Sequence, residues 1–403
     1  MPPERSLVLA LAASVAMGAC SSSKTPGAPA GGADSGASDG VPSPGLPQVQ
    51  NRGGAVLAAP HARVVTFAGD PNAARVEALV AGLGRAAHWK TALAEYGVGA
   101  LVADAPVRLT DAAPTALDSA GVQRLLAQQL DGAHALGAPD PSTVYVLVFP
   151  ASTALTSSLG AGCQEFGGYH AELTVSALRV PSAVLPTCDH YLGLTGTDAL
   201  VANVAHELVE AASDPFTITS PAFGALDDLH AAWGIAWGAY EIADLCAQNG
   251  DVFYTPTDFS FVLPRSWSNA AAKAGHDPCV PAAAGPYFVT LAPADDTFDV
   301  TIDGTKQSAR GIAVPLGQSR TVPLALWADG AVDPWTIAFV DESSWKGGAP
   351  RLTFAIDRTS AKVGDVVSLT IHAVARGTYG VAPFLIQSSG SGRVTTTVGL
   401  VGE

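Results

Sequence analysis

Three side chains in one short segment have the chemistry of a metal-binding site. His206 and Glu210 are four positions apart, and Glu207 lies between them. On an α-helix, residues four apart lie on the same face, one turn from each other. An imidazole nitrogen and a carboxylate oxygen both bind zinc at about 2.0–2.2 Å. The spacing therefore predicts that His206 and Glu210 bind one metal ion from adjacent turns of a helix.

The same segment has the spacing of a hydrolytic motif. Glu207 stands where the zinc-peptidase motif HExxH carries its general base, so it is the candidate catalytic residue. This sequence reads HExxE, because Glu210 replaces the second histidine. A glutamate can still ligate zinc, but its negative charge weakens the acidity that the ion confers on water. Since polar stripes are common on surface helices, a solvated acidic helix face is the alternative interpretation.

Carboxylates further along the chain are candidates for the rest of the site. Glu241 and Asp244 lie in the run Glu-Ile-Ala-Asp-Leu-Cys, which ends at Cys246. We expect Glu241 to be the third metal ligand and Asp244 to orient His206. The alternative is that both carboxylates form hydrogen bonds within a loop or bind a structural calcium ion, because calcium prefers oxygen ligands.

Two more residues are alternative ligands, or residues that orient a ligand. Asp214 ends the polar stripe of the motif segment, directly before Pro215. His170 follows Gly-Gly-Tyr near Cys163, and it is a ligand, a donor to substrate or a histidine packed beside a disulfide. The cofactor expected from this set of ligands is zinc, with calcium as the alternative.

Periodicity predicts the elements that position these residues. Apolar residues at helical spacing indicate helices, and β-branched apolar runs indicate strands, of which the second should be buried on both faces. The expected elements are strands over 62–68 and 143–150 and helices over 72–95, 117–136 and 198–213. Strands alternating with helices predict an α/β (α+β) fold for residues 51–285, with a loop-rich region after the motif helix.

Past residue 286 the sequence changes to short runs, many of them alternating, between Gly, Pro and Asp turns. The runs lie at 298–302, 321–327, 335–340, 352–356 and 366–371. This pattern predicts an antiparallel β-sandwich over 286–403, and about 115 residues fit one immunoglobulin-like domain. The region has no convergent histidine or carboxylate cluster. We therefore expect it to be a spacer or an adhesion module.

The cysteines indicate an oxidising compartment. Apart from Cys20 there are four, an even number, and two disulfides are expected in an exported protein. The pairs Cys163–Cys188 and Cys246–Cys279 are favoured because they close the shortest loops, while other pairings stay open. No cysteine is then left over as a nucleophile.

The N-terminus predicts export and lipid anchoring. Arg5 precedes an apolar run over 7–15, which is too short to span a bilayer, and Gly-Ala-Cys20 follows. This pattern resembles a bacterial lipobox, in which residues 1–20 form the signal peptide and Cys20 is lipidated. A plain signal peptide with a chance cysteine is the alternative. A serine after the cysteine, here Ser21, resembles the pattern of lipoproteins that are sent to an outer membrane. Residues 21–50 have too few large apolar side chains to form a core, so we expect them to be a disordered tether.

Composition excludes one class of partner. The chain has 21 basic and 36 acidic residues and a net charge of −15, so nothing offsets repulsion by nucleic-acid phosphates. Contact with a membrane is expected only through the lipid at Cys20.

The order of these motifs resembles a family of secreted bacterial and fungal proteins related to the plant phosphate-induced, exordium-like proteins. The shared pattern is HE-x-x-EA-x-TDP, a tryptophan, EIGD-x-C and WSN; this sequence has HELVEAASDP, a tryptophan, EIADLC and WSN in that order. Ser213 and Ala243 replace the threonine and glycine that are frequent in the family. The resemblance covers about residues 50–282, and it implies a zincin-like, metal-binding extracellular domain.

Two function classes follow from the sequence. The first is an extracellular zinc-dependent hydrolase of the metallopeptidase kind, with the metal bound by His206, Glu210 and Glu241 and water activated by Glu207. The second is a non-catalytic, metal-stabilised surface protein that binds cell-wall glycan or protein. In either case the expected partner is an extracellular protein or a cell-wall polymer.

Overall fold

A computed structural model of the chain describes residues 45–237, 240–302 and 305–402. The expected signal peptide, Cys20 and most of the expected tether lie outside the described residues. In the described part of the chain, no helix has the length and apolar character needed to cross a bilayer.

The helices and strands are numbered along the chain. The helices are α1 Ala73–Leu83, α2 Ala87–Leu93, α3 Ser119–Gln129, α4 Gly196–Ser213, α5 Ala231–Trp237, α6 Asn269–Ala274 and α7 Glu342–Trp345. The strands before residue 286 are β1 Gln50–Asn51, β2 His61–Phe67, β3 Val102–Ala103, β4 Val107–Leu109, β5 Ala116–Asp118, β6 Thr143–Phe149, β7 Ala154–Ser157, β8 Gly160–Ala161, β9 Tyr169–Val175, β10 Leu178–Pro186, β11 His190–Tyr191, β12 Leu194–Thr195, β13 Phe223–Ala225, β14 Phe253–Tyr254, β15 Leu263–Pro264, β16 Ser266–Trp267 and β17 Cys279–Val280. The later strands are β18 Phe288–Leu291, β19 Asp296–Ile302, β20 Thr305–Ala313, β21 Ser319–Ala328, β22 Trp335–Asp341, β23 Leu352–Ile356, β24 Ser360–Ala361, β25 Val367–Ala373, β26 Val381–Gly390 and β27 Arg393–Gly402.

A mixed six-stranded sheet is the framework of the first part of the chain. Its strand order is β3-β2-β6-β10-β9, and β4 also pairs with β2. Strands β2, β6 and β10 run parallel, whereas β9 pairs antiparallel with β10. The apolar run expected over 143–150 is β6, and each of its 7 residues is buried. This confirms a strand covered on both faces.

Helices cover both faces of this sheet. On one face, α1 and α4 pack with Val146 and Leu185 in the largest apolar core. On the other face, α3 packs with Leu147 and Phe149. Val146 and Leu147 lie in different cores because successive side chains of a strand point to opposite faces. The expected mixed α/β architecture is therefore confirmed, and α4 lies in the interior.

The helix expected over 72–95 is divided in two, because α1 ends at Leu83 and α2 begins at Ala87. A β-carbon on Gly84 would lie 2.1 Å from the carbonyl oxygen of Leu101. The chain therefore needs a glycine at this close approach, and the helix ends there. The next helix is shorter than expected: Asp118 caps α3 by accepting a hydrogen bond from Gly121 N at 2.6 Å.

Two sheets pack face to face in the C-terminal part. Their strand orders are β18-β21-β25-β23 and β19-β20-β27-β26-β22-β24. Side chains of both sheets, including Leu324, Ile371 and Phe384, form one apolar core. The five runs expected to be strands are β19, β21, β22, β23 and β25. The pairing in both sheets is antiparallel, as expected, except that β20 and β27 pair in parallel through Ile312 and Ala313.

The two parts of the chain share apolar packing. Tyr287, Val289, Trp327 and Leu385 belong to the same buried cluster as Leu208 of α4. The boundary expected at residue 286 stays a prediction, and it falls inside a continuously packed structure.

The last strand reaches back to a loop next to the motif residues. Thr396 N donates to the Asn249 side-chain oxygen at 2.9 Å, and Gly250 N donates to the Val394 carbonyl at 2.9 Å. The Asn249 amide in turn donates to Cys279 Sγ at 3.1 Å. Strand β27 therefore supports the loop that follows Cys246.

Both expected disulfides, Cys163–Cys188 and Cys246–Cys279, are present. The tether, in contrast, ends earlier than expected. Leu46 and Val49 are only 3 % and 2 % exposed. Val49 also exchanges two hydrogen bonds with the side chain of Asn269. The segment before β1 therefore packs on the core, because its two apolar side chains have a place there.

Candidate metal centre

Helix α4 carries the motif residues into the interior of the protein. Its apolar residues Val204 and Leu208 are fully buried in the largest core. Its polar residues are buried as well: His206, Glu207 and Glu210 are 3 %, 4 % and 2 % exposed. A helix buried on all sides cannot present a solvated acidic face, so that alternative is excluded. Carboxylates placed in such an interior need partners.

The imidazole of His206 lies close to two carboxylates, those of Glu210 and Asp244. Its Nε2 atom is 3.2 Å from Glu210 Oε1, one helical turn away, and 3.3 Å from Asp244 Oδ1. Asp244 begins a short 3₁₀ turn that ends at Cys246. The expected pair of His206 and Glu210 is therefore close enough to bind one ion, and Asp244 is as near to the imidazole as Glu210 is.

His170 forms a second group on the other side of Glu210. Its Nε2 atom is 3.2 Å from Glu241 Oε1, and its Nδ1 atom is 3.7 Å from Glu210 Oε2. His170 lies on β9, where pairing with Ala183 of β10 fixes its position. Its place among the carboxylates disfavours the interpretation as a histidine that merely packs beside a disulfide.

Two groups of three thus have ligand atoms that lie within 4.8 Å of one another among the described residues. One is His206, Glu210 and Asp244; the other is His170, Glu210 and Glu241. The ligand set expected from the sequence, His206 with Glu210 and Glu241, is distributed over both groups. These three residues remain candidate ligands, and Asp244 and His170 are candidate ligands as well.

Several of these atoms have no hydrogen-bond partner, although they are buried. They are both carboxylate oxygens of Asp244, Glu210 Oε1 and His170 Nε2. The contacts of 3.2 and 3.3 Å therefore lack hydrogen-bond geometry, because the donors and acceptors converge without pointing at one another. Burying a carboxylate without a partner costs roughly several kcal/mol of folding free energy, unless a cation compensates its charge. Imidazole and carboxylate ligands suit zinc, so these residues fit the expected metal.

Electrostatics inside the cluster are dominated by burial and by repulsion between carboxylates. Burial raises the pKa of Glu210 well above its usual range, and the nearby charge of Asp244 raises it further. Burial also raises the pKa of Asp214, to about 6, with a contribution from Glu241. Burial alone would lower the pKa of His206, but Glu210, Tyr191 and Asp244 together outweigh it and the pKa is raised. A bound cation would relieve this repulsion.

Glu207 lies at the edge of the cluster. Its Oε2 atom is 3.8 Å from His170 Nδ1. Gly168, in the segment leading to β9, approaches the same carboxylate so closely that a β-carbon would lie 2.8 Å from Oε1. The carboxylate is therefore held beside the candidate ligands without being a member of either group of three.

Asp214 fixes the far end of α4. It has left the helical conformation, and its Oδ1 atom accepts a hydrogen bond from Ala222 N at 2.6 Å. A β-carbon on Gly224 would lie 2.7 Å from Asp214 Oδ2 and 3.8 Å from Glu241 Oε1. Asp214 thus orients the segment that packs beside Glu241, which fits the expectation of a residue that positions a ligand.

Sequence reasoning missed Tyr191. Its ring packs edge-on against His206 with 6.2 Å between centroids, and its hydroxyl is buried without a hydrogen-bond partner. Burial raises the pKa of this phenol. The available signal was its position in Cys-Asp-His-Tyr, directly after Cys188.

An open groove of about 660 Å³ lies beside the cluster. Tyr191, Gly167 and Phe253 are among the residues that line it. Tyr191 therefore both lines the groove and contacts the candidate ligand His206.

No protein-family model matches the chain, and no curated protein matches it. The resemblance to the exordium-like family therefore stays a prediction.

Proposed function

We propose that the protein is an exported metal-dependent hydrolase of the metallopeptidase kind, with a zincin-like domain followed by an immunoglobulin-like sandwich. The observation that carries the proposal is a buried set of imidazole and carboxylate ligands with unpartnered oxygens, beside Glu207 and a groove. Zinc bound there would supply a Lewis acid that polarises a carbonyl and lowers the pKa of water.

The roles of the protein side chains follow from their positions. His206 and Glu210 would bind the metal from α4, while Glu241, Asp244 and His170 complete its ligands. Glu207 would take a proton from the attacking water and pass it to the leaving amine. The unpartnered Tyr191 hydroxyl can donate a hydrogen bond to the substrate oxygen on which negative charge develops.

The test is a comparison of wild type with Glu207→Gln in metal analysis and in digests of casein and a peptide library. We expect the variant to retain its metal and its fold while cleavage falls about 10²–10⁴-fold, the range of a lost general base. Asp299→Asn, the same chemical change at an exposed position of β19, is the matched control. Cleavage that is equal in wild type and Glu207→Gln would refute the role of Glu207.

A second function is favoured by one observation, the low exposure of the ligands. The side chains of the two groups of three are only 2 % to 15 % exposed. Such a centre suits a structural ion, most simply zinc or calcium, in a surface protein that binds cell-wall glycan or protein. Absence of cleavage, combined with a large fall in thermal stability on chelation, would support this function over the hydrolase.

The proposed location is the cell envelope, with the chain anchored through lipid on Cys20 and sorted to an outer membrane. Labelling cells with radioactive palmitate should mark the wild type and leave Cys20→Ser unlabelled. Label on the serine variant would contradict lipidation at this residue.

A further inference from the structure

We infer that the cluster binds two divalent cations, bridged by the carboxylate of Glu210. The two oxygens of this carboxylate face different histidines: Oε1 is 3.2 Å from His206 Nε2, and Oε2 is 3.7 Å from His170 Nδ1. Each histidine is also close to a carboxylate of its own, Asp244 for His206 and Glu241 for His170. The inference rests on the metal binding proposed above, but not on hydrolysis.

The arrangement of the ligands along the chain suits two ions. Glu241 and Asp244 are three positions apart, yet each carboxylate is directed to a different histidine. His206 and Glu210 come from α4, and His170 comes from β9. Each ion would thus receive one imidazole nitrogen, one oxygen of Glu210 and one carboxylate that the other ion does not share, because one ligand atom from each member of a group lies within 4.8 Å of the other two. Bridged pairs of this kind hold their ions about 3.5–4 Å apart.

The charge of the cluster points the same way. Five carboxylates meet here, namely those of Glu207, Glu210, Asp214, Glu241 and Asp244. Among the described residues, the ion pairs recorded for these groups are with the two histidines, and Arg52 acts on Asp214 only from the exposed surface. Histidines that bind a metal are neutral. One divalent cation would leave three negative charges in the interior, whereas two would leave one.

The unpartnered atoms belong to both groups. Asp244 is 2 % exposed and both of its oxygens lack a partner, so the ion beside His206 would have an unpartnered ligand. His170 is 6 % exposed and its Nε2 atom lacks a partner, so the ion beside Glu241 would have an unpartnered ligand as well. One imidazole with two carboxylates at each position favours zinc or manganese.

The experiment is a count of metal ions on the full chain. The protein is loaded with zinc, separated from free metal and analysed for zinc per chain. We expect two in the wild type, one in His170→Ala and one in His206→Ala. His134→Ala, in which an exposed histidine is removed, is the matched control and should retain two. One zinc per chain in the wild type would overturn the inference.

A second measurement uses the wild-type protein alone, so its result does not depend on whether the variants fold. Two manganese ions that share Glu210 should give an exchange-coupled electron paramagnetic resonance signal, which isolated ions do not. An uncoupled signal at full loading would refute the bridge. Two ions without cleavage would leave the inference standing and remove the hydrolase, whereas cleavage with one ion would do the reverse; a chain that binds no metal would refute both.

Discussion

Gly168 lies against Glu207 so closely that a β-carbon would come within 2.8 Å of the carboxylate oxygen Oε1 and within 2.8 Å of a methyl carbon of Leu185. Gly168→Ala should therefore displace the Glu207 side chain. Because a shift of about 1 Å can cost roughly 100-fold in rate, we expect cleavage to fall by about that factor while bound metal is unchanged.

The control for this prediction is Gly162→Ala in the same segment. A β-carbon there meets its neighbours only at 3.4 Å, which is ordinary contact. Equal loss of cleavage in both variants would show that the segment is generally sensitive, and the position of Glu207 would not be the cause.

The two disulfides should contribute differently to the candidate metal centre. Cys246 lies in the same turn as Asp244, so Cys246–Cys279 fixes that turn, whereas His170 is held by the β9–β10 pairing. The loops are of similar size, with sequence separations of 33 and 25, so removing either bridge should cost about 2–4 kcal/mol.

Replacing both cysteines of a pair by serine tests this difference. We expect zinc to be lost more readily from the Cys246→Ser, Cys279→Ser protein than from the Cys163→Ser, Cys188→Ser protein. Equal zinc affinity in a competition titration with a chelator would contradict the prediction.

Arg393 connects the last strand to two buried or half-buried carboxylates. Its guanidinium pairs with Asp277, and its Nε atom is 2.8 Å from Asp251 Oδ2. Arg393→Met removes the ion-pair partner of both carboxylates and should lower the free energy of unfolding by about 3–5 kcal/mol. Arg108→Met, which breaks the exposed pair with Glu77, should have a much smaller effect. Urea unfolding of the two variants checks the difference, and similar midpoints would contradict it.

His88 makes the stability depend on pH. It is 1 % exposed, and burial lowers its pKa from 6.5 to about 4, with a contribution from the charge of Arg265. Between these values the unfolded chain binds a proton that the folded chain does not. The stabilisation is therefore complete above pH 6.5 and is lost as the pH falls towards 4, by about 3 kcal/mol at most.

The variant His88→Gln isolates this effect. It lacks the titrating group, so its free energy of unfolding should fall less than that of the wild type between pH 7 and pH 4.5. Both proteins are measured with a chelator present, because acid also releases metal from its ligands. Parallel curves would refute the assignment to His88.

Local patterns predicted several parts of the fold correctly. The continuous apolar run of β6 and the helical spacing around His206 are properties of short segments, so both could be read from the sequence. The break after Leu83 could not, because it depends on the approach of Gly84 to Leu101, which is distant in sequence. Strand β26 was missed because Pro383 interrupts its apolar run, and a proline inside a run argues against a strand.

In the candidate site, too, only the features that depend on a short segment could be predicted from the sequence. The relation between His206 and Glu210 is set by one turn of helix, and the sequence is sufficient for it. The partition of Glu241 and Asp244 between two histidines depends on how a loop packs against β9, and no spacing along the chain encodes that. Tyr191 reaches His206 for the same reason, through tertiary packing.

The support that β27 gives to Asn249 has a consequence for biosynthesis. Thr396 is 147 positions beyond Asn249, so a growing chain exposes the loop after Cys246 long before its supporting strand exists. This loop can form its hydrogen bonds to β27 only when Val394 and Thr396 have emerged. The candidate metal centre therefore lies beside a loop whose support is made late, although all of its candidate ligands are made in the first two thirds of synthesis.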